Sequence, residues 1–281
     1  MKKRNKILLI ILILFAFLII GSLIYITQPS SMNLKSSDLA SYSNIEYKRD
    51  RYLDILLPSE KQFDKTPVII FFHGGGFIGG SKKGISENLR KIACEELLKE
   101  GYAIVSVDYF TARNSISSFP TCIEDCQDAF SWVFSKADEY GFDINNIGLW
   151  GTSAGAHLAM MVGFTNSDKS KFIIDEFGPV DLDVYRSLDF LGFFKKKAEK
   201  NSPISYITSN SPPILVLHGL DDKVVPYSQS QELVDKYLSF GNKEFKIISF
   251  KGAGHNLEDS SDEDKRKFNE EMVKFVNSNY K

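Results

Sequence analysis

From residue 45 onward the chain alternates short apolar, β-branched runs with longer helix-like stretches, and few architectures accept that alternation. Val68-Ile-Ile-Phe-Phe72, Ala103-Ile-Val-Ser-Val107, Ile147-Gly-Leu-Trp150, Phe172-Ile-Ile174, Pro213-Ile-Leu-Val-Leu217 and Phe245-Lys-Ile-Ile-Ser-Phe250 read as strands. Between and after them, Ser86–Glu100, Cys122–Tyr140, Ala156–Phe164, Gln229–Phe240 and Asp262–Asn277 have helical spacing, with Gly101 and Gly141 as stops. Strands that are apolar throughout must be covered on both faces, which predicts an α/β fold with a mostly parallel central sheet between helices. In such a sheet the functional groups lie beyond the carboxyl ends of the strands. The chemistry-bearing motifs should therefore follow strands directly.

They do. Gly151-Thr152-Ser153-Ala154-Gly155 follows the strand ending at Trp150 and opens a helix, as a G-x-S-x-G nucleophile turn requires. Glycines two residues either side of the serine remove side chains that would clash in the turn, and the helix start favours a developing anion. His73-Gly-Gly-Gly76 follows the strand ending at Phe72. Its glycines let main-chain N–H groups approach a substrate, and Gly75, Gly76 and Ala154 are the expected oxyanion donors. A phosphate-binding glycine loop is the alternative, but neither G-x-G-x-x-G nor a P-loop lysine pattern is present. Among the four histidines, His255 in Gly252-Ala-Gly-His255 follows the last strand and is the candidate base. His73, His157 and His218 read as packing or loop-bracing residues. Asp221 and Asp222 follow the strand ending at Leu217, and Asp181 follows another, so three carboxylates compete to orient the base.

The motifs together resemble α/β-hydrolases of the esterase/lipase group with an HGGG loop, in the BD-type feruloyl-esterase-like and hormone-sensitive-lipase-like branches. The likeness is carried by Phe71–Ile78, Phe119-Pro120 with Glu124-Asp125 and Trp132, Gly151–Ala159, Phe177–Leu182, Ser202–Tyr206, Pro212–Gly219 and Gly252–His255. It implies an α/β-hydrolase fold and a serine esterase acting on carboxylic esters without cofactor or metal. The His-Gly-x-x-Asp segment of that group selects Asp222, four residues after His218, and gives the triad Ser153, Asp222 and His255. Two departures stand out. Asp108-Tyr109 continues Phe-Thr-Ala-Arg113 where the group has Arg-Leu-apolar-Pro-Glu, and Ala156 replaces a glycine. The short interval between Phe177-Gly-Pro179 and Ser202 leaves no room for a full lid domain and predicts an open pocket. A peptidase or arylformamidase with the same triad, and a non-catalytic binding protein on this fold, are the competing readings.

The beginning of the chain differs from the rest. Met1-Lys2-Lys3-Arg4-Asn5-Lys6 carries four basic side chains, and Ile7–Thr27 follows without a charge. A helix of that length matches a hydrocarbon core of about 30 Å. The expectation is a transmembrane anchor over residues 1–27, with its N-terminus cytoplasmic and the catalytic domain extracytoplasmic. Secretion after signal cleavage is the alternative, disfavoured by the length of the run and the lack of a small-x-small site. Residues 28–44 read as a polar tether, and residues 45–281 as the catalytic domain. With 43% apolar and 25% charged residues, the chain can bury a core. A net charge of −2 gives no ground for a nucleic-acid partner. Cys94, Cys122 and Cys126 read as small buried hydrophobes. The expected partners are an ester, small or borne on a polymer, and a membrane; composition leaves the oligomeric state open.

Overall fold

The computed structural model describes residues 41–112, 118–183, 198–257 and 259–280. The anchor expected over residues 1–27 and the tether up to residue 40 lie outside the described residues. Among the described residues, no helix is long and apolar enough to cross a membrane.

An eight-stranded sheet forms the centre, in the order β1-β2-β4-β3-β5-β6-β7-β8. The strands are β1 (Tyr42–Lys48), β2 (Arg51–Leu56), β3 (Thr66–Phe72), β4 (Ala103–Val107), β5 (Phe142–Thr152), β6 (Phe172–Glu176), β7 (Ile214–Gly219) and β8 (Phe245–Phe250). The helices are α1 (Asn88–Lys99), α2 (Thr121–Ser135), α3 (Ala137–Tyr140), α4 (Ala154–Thr165), α5 (Ala198–Asn201), α6 (Ser228–Ser239) and α7 (Asp262–Asn279). From β4 through β8 every neighbouring pair is parallel, while β1, β2 and β4 pair antiparallel.

Strand side chains point alternately to the two faces, and each face has its own core. Ile70, Leu149, Ile173 and Val216 pack with Cys126, Leu158, Leu233 and Tyr237 from α2, α4 and α6. Ile69, Trp150, Ile174 and Leu215 pack with Ala93 and Leu97 of α1 and Phe268 and Met272 of α7. Burial on both sides explains why these strands read as unbroken apolar runs. Each large apolar side chain removed from water contributes about 1.5–3 kcal/mol. All three cysteines are free and buried, and burial pushes the Cys94 and Cys122 thiols up to about 12.

Two local differences from the expected elements have physical reasons. The first strand opens at Tyr42, inside the segment read as tether, and its pattern is mostly exposed because it forms the sheet edge. The β1–β2 hairpin is tied to α2 by the buried carboxylate of Asp125, which takes Lys48 Nζ at 2.8 Å, Arg51 Nε at 2.5 Å and the Phe110 N–H at 2.9 Å. The helix expected over Cys122–Tyr140 is two helices, since Lys136 leaves the helical region at φ −107°.

Candidate active site

The Ser153 turn is held by close main-chain contacts. A Cβ on Gly151 would lie 2.2 Å from the Gly155 carbonyl oxygen, and one on Gly155 would lie 2.0 Å from that of Phe72. Only glycine fits either position, so β5 can turn sharply into α4 while α4 starts against the end of β3. Ser153 takes φ 50° and ψ −117°, a conformation that costs of order 1–3 kcal/mol in a residue with a side chain. Its N–H donates to the Glu176 carbonyl at 2.8 Å, and its own carbonyl accepts from His157 N–H at 3.1 Å. These bonds hold the strained residue in place. Behind it the Glu176 carboxylate accepts from Trp150 Nε1 at 2.6 Å and pairs with Arg90 at 3.4 Å. Burial raises the pKa of Glu176, and Arg90 and Trp150 oppose the shift.

His255 reaches Ser153 because the loops after β7 and β8 are joined. Leu220 N–H donates to the Phe250 carbonyl at 2.9 Å and Asp221 N–H to the Ala253 carbonyl at 3.0 Å. Gly219 permits the approach, since a Cβ there would lie 2.3 Å from the Ala253 carbonyl oxygen. His255 Nε2 lies 2.9 Å from Ser153 Oγ, and His255 Nδ1 lies 2.7 Å from Asp222 Oδ2. A carboxylate can only accept, so Nδ1 carries the proton and Nε2 is free to accept one from the hydroxyl. The edge of the Phe177 ring rests on the imidazole, with centroids 4.8 Å apart.

Of the three competing carboxylates, the structure brings Asp222 to His255. Asp222 is buried, and its Oδ1 accepts the N–H groups of Val224 at 2.8 Å and Val225 at 2.9 Å. Its Oδ2 takes His255 Nδ1 and also His218 Nε2, the latter at 3.2 Å. Burial alone would raise its pKa. The bonds from His218 and His255, the electrostatic effect of the adjacent His255 and the Val225 N–H outweigh that and hold the carboxyl well below the usual range. Asp221 is exposed. Asp181 is occupied elsewhere, accepting from Asp183 N–H at 2.8 Å and from Ser202 Oγ at 3.3 Å.

The Gly74–Gly76 segment passes beside Ser153. A Cβ on Gly74 would lie 2.9 Å from Thr152 Oγ1 and 3.6 Å from Ser153 Cβ. Gly75 and Gly76 take φ 123° and 60°, and the Gly75 carbonyl is turned away to accept from Ile78 and Gly79. Among the described residues, no acceptor engages the N–H groups of Gly75, Gly76 or Ala154.

The other histidines are not in line with Ser153. His73 is buried, hydrogen-bonds the Gly74 carbonyl through Nδ1 at 2.6 Å and stacks on Tyr109, whose hydroxyl donates to the His73 carbonyl. Burial lowers its pKa. His157 is fully buried, donates from Nδ1 to the Pro179 carbonyl at 3.0 Å, and is lowered to about 4, chiefly by burial. Both brace loops around the site, as the sequence suggests. His218 is different: its contact with Asp222 Oδ2 escapes a reading that treats it as a loop brace, although its i, i+4 spacing to Asp222 at a strand end is a usable signal.

The BD-FAE family profile matches residues 53–237, which take in the glycine loop, Ser153 and Asp222. The chain belongs to the BD-FAE family. His255 lies beyond the matched part of this BD-FAE chain. Esterase LipC of Mycobacterium tuberculosis is 26% identical over 236 residues, covering 73% of this chain and 57% of the relative. Esterase LipQ of the same organism is 30% identical over 226 residues, covering 68% and 51%. The chain thus spans about half the length of these curated relatives. Among solved structures, a truncated carbohydrate esterase from gut microbiota superposes with TM-score 0.71 at 24% identity, covering 86% of this BD-FAE chain and 99% of its own. A thermophilic esterase from Thermogutta terrifontis with propionate bound gives TM-score 0.71 at 24% identity, covering 86% and 95%. At that identity both establish the shared α/β-hydrolase fold.

Proposed function

We propose that this protein is a serine carboxylesterase in which Ser153 is the nucleophile, His255 the general base and Asp222 the acid that orients it. The observation that carries this reading is the unbroken chain from Ser153 Oγ to His255 to Asp222, at 2.9 and 2.7 Å, beside three main-chain N–H groups that no acceptor engages among the described residues. The relatives LipC and LipM of Mycobacterium tuberculosis bear the names esterase and probable carboxylic ester hydrolase.

The chemistry follows from the protons. Ser153 Oγ attacks the ester carbonyl carbon while its proton passes to His255 Nε2. The carbonyl oxygen becomes an anion, held by the N–H groups of Gly75, Gly76 and Ala154. His255 returns its proton to the departing alkoxide, leaving an acyl-serine and a free alcohol. Water then enters and gives its proton to His255, and collapse of the second tetrahedral anion releases the carboxylic acid while His255 returns that proton to Ser153 Oγ. Asp222 keeps its charge throughout and stabilises the imidazolium. Small esters, or esters exposed on polymers, suit the short segment between Pro179 and Ser202.

Ser153→Ala tests the assignment. A fluorophosphonate should label the parent protein and not the variant, and hydrolysis of short-chain esters should fall by about 10³–10⁶ with folding retained. Undiminished turnover by a folded Ser153→Ala protein would remove Ser153 from the mechanism. A parallel panel of anilides separates an esterase from an amidase using the same groups.

The basic cluster at Lys2–Lys6 and the uncharged run Ile7–Thr27 support a membrane anchor with the catalytic domain outside the cytoplasm. Protease added to intact cells should then digest the domain; complete protection in sealed cells would reverse the orientation.

A further inference from the structure

Asp222 Oδ2 accepts from two imidazoles, and only one of them belongs to the triad. The second, His218 at the end of β7, is fully buried and touches no substrate-accessible surface. Its Nε2 lies 2.9 Å from the Val225 carbonyl and 3.2 Å from Asp222 Oδ2. Neither a carbonyl nor a carboxylate can donate, so Nε2 carries a proton shared between them. On the other side of the ring, Nδ1 lies 2.6 Å from Ser230 Oγ in α6. In the neutral ring Nδ1 accepts the Ser230 hydroxyl proton, which fixes the tautomer that points N–H at Asp222. The edges of Tyr227 and Phe177 flank the imidazole.

The shorter contact, to Val225, is a loop brace and would be expected in any tight turn. The contact to Oδ2 does something further. With it, Oδ1 is held by two backbone N–H groups and Oδ2 by two ring N–H groups, so the carboxylate can neither rotate nor slide away from His255. We infer that His218, with its ring set by Ser230, is a positioning residue for the acid, so that the catalytic relay is anchored in α6 through Ser230–His218–Asp222–His255–Ser153. This rests on the triad reading above.

The test compares His218→Leu, His218→Gln and Ser230→Ala, each titrated with a fluorophosphonate so that rates refer to competent sites. Glutamine places an amide N–H near the position of Nε2, whereas leucine places none. The expected result for His218→Leu is a drop in kcat of about tenfold to hundredfold, the loss of one charge-assisted hydrogen bond, with KM within about twofold. His218→Gln should recover most of that loss, and Ser230→Ala should lower kcat by a few-fold. The low-field Nδ1–H proton resonance of His255 should move in His218→Leu and Ser230→Ala and return toward the parent position in His218→Gln. A folded His218→Leu protein with parent kcat per titrated site, or with a reduced kcat that glutamine does not restore and an unmoved resonance, would overturn the inference. Should the leucine variant not fold, an unchanged kcat and resonance in Ser230→Ala would overturn it equally. If the parent protein is not titrated at all, the triad reading fails instead, and the two failures are told apart at that first step.

Discussion

Asp222 and Asp175 are both buried aspartates at the carboxyl edge of the sheet, one in the loop after β7 and one within β6, and their pKa values move in opposite directions. Asp222 has four donors on its two oxygens, and its carboxyl is held low against the cost of burial. Asp175 has one donor, the Gly178 N–H at 2.7 Å on Oδ1, and its buried Oδ2 has no partner among the described residues. Burial raises its pKa to about 7, against smaller opposing effects of Gly178 and His218. Burial is thus common to both, and the donors around each carboxylate, with His255 beside Asp222, set the direction in which its pKa moves. The one held low faces His255.

The largest effect should come from breaking the charged member. Asp222→Asn keeps the shape but offers an amide to His255 Nδ1, favouring the wrong tautomer. Steady-state kinetics should show a loss of about 10³–10⁴ in kcat with little change in KM. If Asp221→Asn or Asp181→Asn were the crippling change and Asp222→Asn stayed active, the triad would need a different acid.

An intermediate effect, on stability rather than rate, is expected at the other member. The raised pKa of Asp175 means that the folded state holds a proton the unfolded state releases. The stability from that proton is fully present below the ordinary aspartate value of 3.8 and is lost as pH rises through about 7. Asp175→Asn removes the titration. Thermal or urea unfolding at pH 5 and pH 8 should therefore show the variant gaining roughly 2–3 kcal/mol on the parent across that interval. A parallel pH dependence in the two proteins would mean that Asp175 is ionised throughout.

The smallest effect belongs to Asp221, adjacent to Asp222 but exposed. Asp221→Asn should leave kcat/KM within about threefold, since a solvated surface charge acts weakly. A loss approaching that of Asp222→Asn would show that exposure does not separate these neighbours.

Much of this was legible before any coordinates. The strands β4 and β8 have the expected limits, and Ser153, Asp222 and His255 follow strands, as the parallel sheet demands. Periodicity misses what lacks an apolar signal. Tyr42–Lys48 is an edge strand with little burial, so its residues look like tether. Phe142–Asn146 extends β5 through Asp143, Asn145 and Asn146, polar residues that carry no strand pattern. No glycine or proline marks the break at Lys136. In the site, spacing reveals that His218 stands near Asp222, but only the fold of the loop decides that its ring faces the carboxylate oxygen already shared with His255.

The contact of Gly155 with the end of β3 bears on how such a catalyst can be remodelled. The gap between the Ser153 turn and the strand leading into the glycine loop is set by main-chain atoms alone, with no rotamer in between to yield. Laboratory evolution toward a new ester therefore has little to gain from libraries at Gly151 or Gly155. Ile78, Leu220 and Val224 are exposed on the loops after β3 and β7 that also carry Gly75, Gly76 and Asp222. Diversity placed there can reshape which acyl or alcohol group is admitted while the reacting distances remain as the backbone fixes them.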